Sequence, residues 1–70
     1  MKNTILTSTA TVAEVDSLFY FRLSIDNGTL SYSKQINDDN ELHNAIVNAI
    51  HIVESVPEYL DYAKELKSLV

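Results

Sequence analysis

From Phe19 to Ile36 the chain changes character at almost every residue. Phe19, Phe21, Leu23 and Ile25 alternate with Tyr20, Arg22, Ser24 and Asp26; Leu30, Tyr32 and Ile36 alternate with Ser31, Ser33 and Gln35. A period of two marks a half-buried strand. Between the runs stands Asn27-Gly28, which contains the chain's only glycine. A type I′ hairpin turn needs positive φ at both central residues, and Asn-Gly meets that need with least strain. A two-residue loop there pairs Ile25 with Leu30, Leu23 with Tyr32, Phe21 with Lys34 and Phe19 with Ile36. Seven of those eight side chains can bury apolar surface on one face, and a slip of one residue would scatter them.

The preceding segment, "TILTSTATVAEV", is rich in β-branched residues and sets Leu6, Ser8, Ala10 and Val12 against Thr7, Thr9 and Thr11. It reads as one strand joined to the next by a short turn at Asp16-Ser17, with Val12 opposite Phe21 and Ala10 opposite Leu23. The expected sheet is a three-stranded antiparallel meander, with strands near 4–14, 18–26 and 29–36. One face should be apolar and the other rich in hydroxyls.

After Ile36 the period lengthens to 3.6. Leu42, Ala45, Ile46, Ala49, Ile50 and Val53 form a helical stripe. Pro57 interrupts, and "SVPE" places Ser55 as an expected N-cap with Glu58 three residues on. Helices near 39–54 and 57–69 are expected, the second turning Tyr59, Tyr62, Ala63, Leu66, Leu69 and Val70 inward. The predicted fold is α+β: a three-stranded meander followed by two helices packed on one face (βββαα), in a single domain over 1–70.

Seventy residues bury only about 60% of the surface that the unfolded chain exposes. No cysteine is present to supplement so small a core with a disulfide or a thiolate-bound metal. The N-terminal stretch lacks the apolar run of a signal peptide, and no stretch approaches the roughly 20 apolar residues of a membrane helix. A soluble cytoplasmic protein with no membrane contact is the expectation.

Charge divides the chain. Residues 1–35 balance Lys2, Arg22 and Lys34 against Glu14, Asp16 and Asp26. Residues 36–70 set only Lys64 and Lys67 against Asp38, Asp39, Glu41, Glu54, Glu58, Asp61 and Glu65, so the net −5 lies wholly in the second half. Nucleic-acid binding depends on Lys and Arg that displace counterions, so direct contact with DNA or RNA is disfavoured.

The densest chemistry is "DDNELHNAIVNAIHIV", residues 38–53. Asp38 occupies an N-cap position, Glu41 the reciprocal place three residues on, and Asp39 the first turn, where negative charge meets the helix dipole. His43 and His51 are eight residues apart, roughly 12 Å along a helix axis and too far to share one metal. An HExxH-type pair needs a spacing of four, and position 47 is valine. No metal site and no cofactor are expected. One glycine cannot build a phosphate-cradling loop, and no nucleophile motif frames the serines. Tyr20 and Arg22 on the open sheet face read as an ordinary solvated strand face. No enzymatic activity is expected.

Three antiparallel strands followed by "NDDNELHNAIVNAI" resemble the first half of a ribonuclease H-type fold, in which Glu41 would take the place of the acidic residue on the helix. The strand aspartate of that family is missing from "ILTSTA", as are its later strands and aspartates, so the resemblance does not imply two-metal hydrolysis. The same order is similar to the small degenerate version of the fold in HicB-type antitoxins, without their proline-containing motif or DNA-binding tail. This likeness is topological and spans roughly residues 4–55.

What folding leaves unexplained is the acidic spacing near the C-terminus. Glu54, Glu58, Asp61 and Glu65 recur at i, i+4, i+7 and i+11, and on a continuous helical path they would form one ridge that imitates phosphate spacing. Val47 and Ile52 flank the core stripe of the first helix, and with Tyr59 and Tyr62 they are the expected apolar part of a partner-binding surface. The sequence thus reads as a small acidic protein-binding module, an inhibitor or regulator that occupies the basic surface of a nucleic-acid-binding protein or nuclease. Its size, charge and lack of cysteine resemble, in composition, the anti-CRISPR and anti-restriction inhibitors of phages and mobile elements. Two alternatives remain: an antitoxin-like or regulatory subunit with a degenerate ribonuclease H/HicB-like fold, and a structural homo-oligomer such as a homodimer.

Overall fold

A computed structural model of the chain describes residues 2–70. Four strands, not three, precede the helices: β1 (Lys2–Ile5), β2 (Ala10–Val15), β3 (Leu18–Ile25) and β4 (Leu30–Ile36). They form one antiparallel sheet in the order β1-β2-β3-β4, each strand beside its sequence neighbour. Helix α1 (Asp39–Glu54), a 3₁₀ turn over Pro57–Tyr59 and helix α2 (Leu60–Lys67) follow. The α+β class, the antiparallel meander and the two helices stand as expected from the sequence; the strand count does not.

The extra strand arises where the N-terminal segment folds back at residues 6–9. Thr7 makes the turn that glycine or asparagine makes elsewhere. Its Oγ1 accepts the amides of Thr9 (3.2 Å) and Ala10 (3.1 Å), while the Ala10 carbonyl accepts those of Leu6 (3.0 Å) and Thr7 (3.2 Å). A threonine hydroxyl that bonds nearby backbone competes with strand pairing, and here it wins. β1 then pairs with β2, Lys2 opposite Glu14 and Thr4 opposite Val12. One consequence lies on the open face of the sheet. Ala13, between Asn3 and Tyr20 in the ladder, is almost fully shielded although no helix covers that face.

The rest of the sheet follows the alternation. Phe19, Phe21, Leu23 and Ile25 pair with Ile36, Lys34, Tyr32 and Leu30, and Val12 and Ala10 pair with Phe21 and Leu23. The β2–β3 turn has two residues, Asp16 (φ 53°) and Ser17 (φ 68°), both left-handed. In the β3–β4 turn the Thr29 amide donates to the Asp26 carbonyl (3.1 Å) around Asn27 (φ 55°) and Gly28 (φ 88°), and Asp26 itself is left-handed (φ 57°). Lys34 points toward the helical layer from an edge strand yet stays exposed, an arrangement that discourages edge-to-edge pairing.

Asp38 caps α1: its Oδ1 accepts the Glu41 amide at 2.8 Å. The Glu41 carboxylate does not reciprocate to the Asp38 backbone but accepts the Asn37 side-chain amide at 3.1 and 3.3 Å. Ala45, Ile46, Ala49, Ile50 and Val53 carry α1 onto Phe21, Leu23, Ile25 and Ile36, and Ala63 and Leu66 bring α2 into the same core. Ser55 is the C-cap of α1, its Oγ donating to the Ile52 carbonyl (2.6 Å), and not the expected N-cap of the next helix. α2 begins without a side-chain cap, after extended Val56 and the 3₁₀ turn at Pro57. No described helix is long and apolar enough to cross a membrane.

Candidate functional site

Four carboxylates at i, i+4, i+7 and i+11 share a stripe only on an unbroken helix. The break at Ser55–Pro57 distributes them over three elements: Glu54 closes α1, Glu58 lies in the 3₁₀ turn, and Asp61 and Glu65 belong to α2. Two of the four have intramolecular work. Glu54 Oε2 meets Lys67 Nζ at 2.6 Å, the one ion pair among the described residues. This contact holds the Glu54 carboxyl below its ordinary range, chiefly through the hydrogen bond from the ammonium. Glu65 accepts the Ser8 hydroxyl at 2.8 and 3.0 Å and the Ser8 amide at 3.3 Å, tying α2 to the β1–β2 loop. A carboxylate satisfied in this way is less available to an outside partner.

Glu58 and Asp61 make no ion pair or side-chain hydrogen bond among the described residues and are exposed. Between them Leu60 is 47% exposed. With Glu54 they line a shallow depression beside Lys64 and Lys67, where three carboxylates meet two ammonium groups. The expected ridge is therefore a short site, two open carboxylates around an exposed leucine.

The apolar residues expected at the same surface do not gather in one patch. Val47 and Ile52 are both half-buried on the continuous α1. Five residues correspond to about 140° around such a helix, so they occupy opposite shoulders. Tyr59 and Tyr62 do meet each other, with ring centroids 5.9 Å apart and planes tilted by 55°. The Tyr59 hydroxyl lies 3.5 Å from Asp26 Oδ2 at the β3–β4 turn. Partial desolvation, then the Asp26 charge, push its phenol above the ordinary value. The pair is thus a strut between α2 and the sheet, with its outer edges half-exposed.

Asp38 and Glu41 at the start of α1 hold the amides described above, His43 is exposed in the next turn, and His51 is exposed in the last turn of the same helix, near Glu54. No three His, Asp or Glu side chains among the described residues converge as a metal-ligand set would. On the open sheet face, Arg22 stands between Thr11 and Ser33, surrounded by hydroxyls.

Missed at the sequence level were the engagements of Glu65 with Ser8 and of Glu54 with Lys67. The first joins residues 57 apart in sequence, and no local pattern signals such a contact. Comparison with protein-family models, with curated proteins and with solved structures finds no match to this chain.

Proposed function

We propose that this chain is a small acidic protein-binding module, of the inhibitor or regulator kind, that occupies a basic surface on a partner such as a nucleic-acid-binding protein or nuclease. One observation carries the reading. The residues of the sheet half are charge-balanced, and the C-terminal half that holds the whole net −5 folds into helices packed together on one side of that sheet. The Cα atoms span 36 × 25 × 15 Å, so the helical layer, with most of the chain's carboxylates, is one broad side of a flat molecule. Such a face speeds encounter with a positive surface, with an effect that fades as salt screens exposed charge beyond about 8–10 Å. Glu58, Leu60 and Asp61 are its most available elements, and Tyr59 and Tyr62 border them.

The test begins with capture of partners by the intact protein from cells of its source. The retained protein is then titrated against the wild type and a Glu58→Gln/Asp61→Gln variant at low and high salt. The reading expects a basic partner, binding that weakens with salt, competition by DNA or RNA, and a loss of several-fold in the variant. Undiminished binding by the variant at low salt would remove Glu58 and Asp61 from the mechanism.

A second reading, a homo-oligomer, has one observation in its favour. The outer edge of β1 is unpaired, and Ile5 on that strand is 77% exposed. Sedimentation equilibrium separates it from the first: a monomer up to about 100 μM, far weaker than a stable homodimer, argues against it.

A further inference from the structure

The two helices leave part of the inner sheet face bare. α2 sits at the foot of the sheet, where Glu65 holds Ser8 in the β1–β2 loop and Tyr59 reaches Asp26 in the β3–β4 turn. α1 lies over β3 and β4. A helix is roughly 10 Å across, and four strands span about 14 Å between their outer axes, so one helix cannot cover them all. The eight residues of α2, roughly 12 Å of helix, do not extend to the head of β1 and β2. Phe19 is left 45% exposed there.

Val12, Phe19 and Ile36 of the sheet floor a trough at this end, with Leu42, Asp38 and Asp39 on its helical side. Val12 and Phe19 also line a second, smaller depression toward the sheet edge, with Lys2, Thr4 and Glu14. Asp38 and Asp39 thus line the trough, and Glu14, opposite Lys2 in the β1–β2 ladder, lines the second depression, so carboxylates outnumber ammonium groups three to one across the two. The α1 dipole offsets part of the Asp38 charge, while Asp39 stands at the helical side and Glu14 toward the sheet edge.

We propose that this trough is a docking site for a segment of a partner protein that presents a large apolar side chain flanked by lysine or arginine. An apolar anchor would fill the floor, and its cationic neighbours would meet Asp39 and Glu14. Charge decides among occupants. In a twofold contact a second copy would bring the same acidic rim against itself, and an acidic or neutral segment would leave the rim charges unpaired. The site shares no residue with Glu58, Leu60 and Asp61, so it stands or falls independently of the surface proposed above.

Amide chemical shifts of the full chain, titrated with three synthetic peptides, test this. The probes are Ac-Lys-Lys-Phe-Lys-Lys-NH₂, its glycine-centred counterpart and Ac-Glu-Glu-Phe-Glu-Glu-NH₂. The basic phenylalanine peptide is expected to shift Val12, Phe19 and Leu42, and to bind about tenfold more tightly than the glycine peptide, as partial burial of one aromatic ring implies. The acidic peptide should leave those amides unmoved. Phe19→Ser should abolish the preference for phenylalanine over glycine, with its fold checked by the spectrum itself. Asp39→Asn/Glu14→Gln keeps the shape of the trough and should erase the preference for the basic over the acidic peptide. Equal binding of basic and acidic peptides by the wild type would overturn the proposal, as would shifts confined to α2. Concentration-dependent shifts at Val12, Phe19 and Leu42 without peptide would do the same, by assigning the trough to a second copy.

Discussion

Replacement of Gly28 by alanine isolates the energetics of one backbone angle. Gly28 has φ +88°, and a Cβ built there meets no atom within 4 Å. Steric crowding by neighbours therefore contributes nothing, and the cost is that of holding an L-residue in left-handed backbone, about 1–2 kcal/mol. Alanine also narrows the unfolded ensemble, which offsets about 0.4–1 kcal/mol of that cost. The expected net destabilisation of Gly28→Ala is about 1 kcal/mol, or a fall in melting temperature of about 4–8 °C for a domain of this size. Chain length makes a stereochemical control practical, because 70 residues are within reach of chemical synthesis by ligation. D-alanine at position 28 favours positive φ and meets the same empty space, so it should match or exceed glycine. Thermal unfolding followed by far-UV circular dichroism measures all three proteins. If D-alanine destabilises as much as L-alanine, the turn does not depend on φ at residue 28 and the reasoning fails.

Three further outcomes follow from the packing and the polar contacts. Leu66 is fully buried between α2 and the rest of the core, so Leu66→Ala should cost about 2–5 kcal/mol, most of what so small a core supplies; retention of a cooperative transition near the wild-type midpoint would contradict that burial. Glu54 has a lowered pKa in the fold, so its contribution is complete above the ordinary glutamate value of 4.5 and disappears as pH falls through the lower folded value. The gap in melting temperature between wild type and Glu54→Gln should accordingly close on acidification, and a gap constant with pH would remove Lys67 as the cause. Calorimetric titration with zinc, magnesium or manganese should show no submillimolar site at Asp38, Asp39, Glu41, His43 or His51; such binding, if lost in Glu41→Ala, would reverse the assignment of these residues to helix capping and surface.

Legibility from sequence tracked the range over which each contact acts. The β3–β4 register was readable because Asn27-Gly28 and two alternating runs lie within about twenty residues and constrain one another. α1 was readable from its stripe and from Asp38. The β1–β2 turn was not, because Thr7 makes it with its side chain inside a run of β-branched residues that otherwise reads as continuous strand. Ser55 misled for a related reason: a hydroxyl beside a helix boundary serves either end, and here it bonds backward to Ile52. The acidic spacing was real, but its geometry depended on Pro57 breaking the helix and on Ser8 and Lys67 engaging two of the four carboxylates.

A sheet in which every strand pairs only with its neighbour in the chain has a kinetic consequence. Contacts close in sequence cost little loop entropy to form, so this topology should fold quickly for a protein with four strands. The same wiring makes β1 the natural point of fraying, since its four exposed residues are held by β2 alone. Peeling from that end need not propagate. At Ser8 it meets a latch to Glu65 on α2, the one place among the described residues where the N-terminal hairpin is hydrogen-bonded through side chains to the last helix. Hydrogen exchange should therefore step rather than grade along the first ten residues, fast through Ile5 and markedly slower from Ala10 onward. The chain behaves as a zip with a stop sewn into its eighth residue.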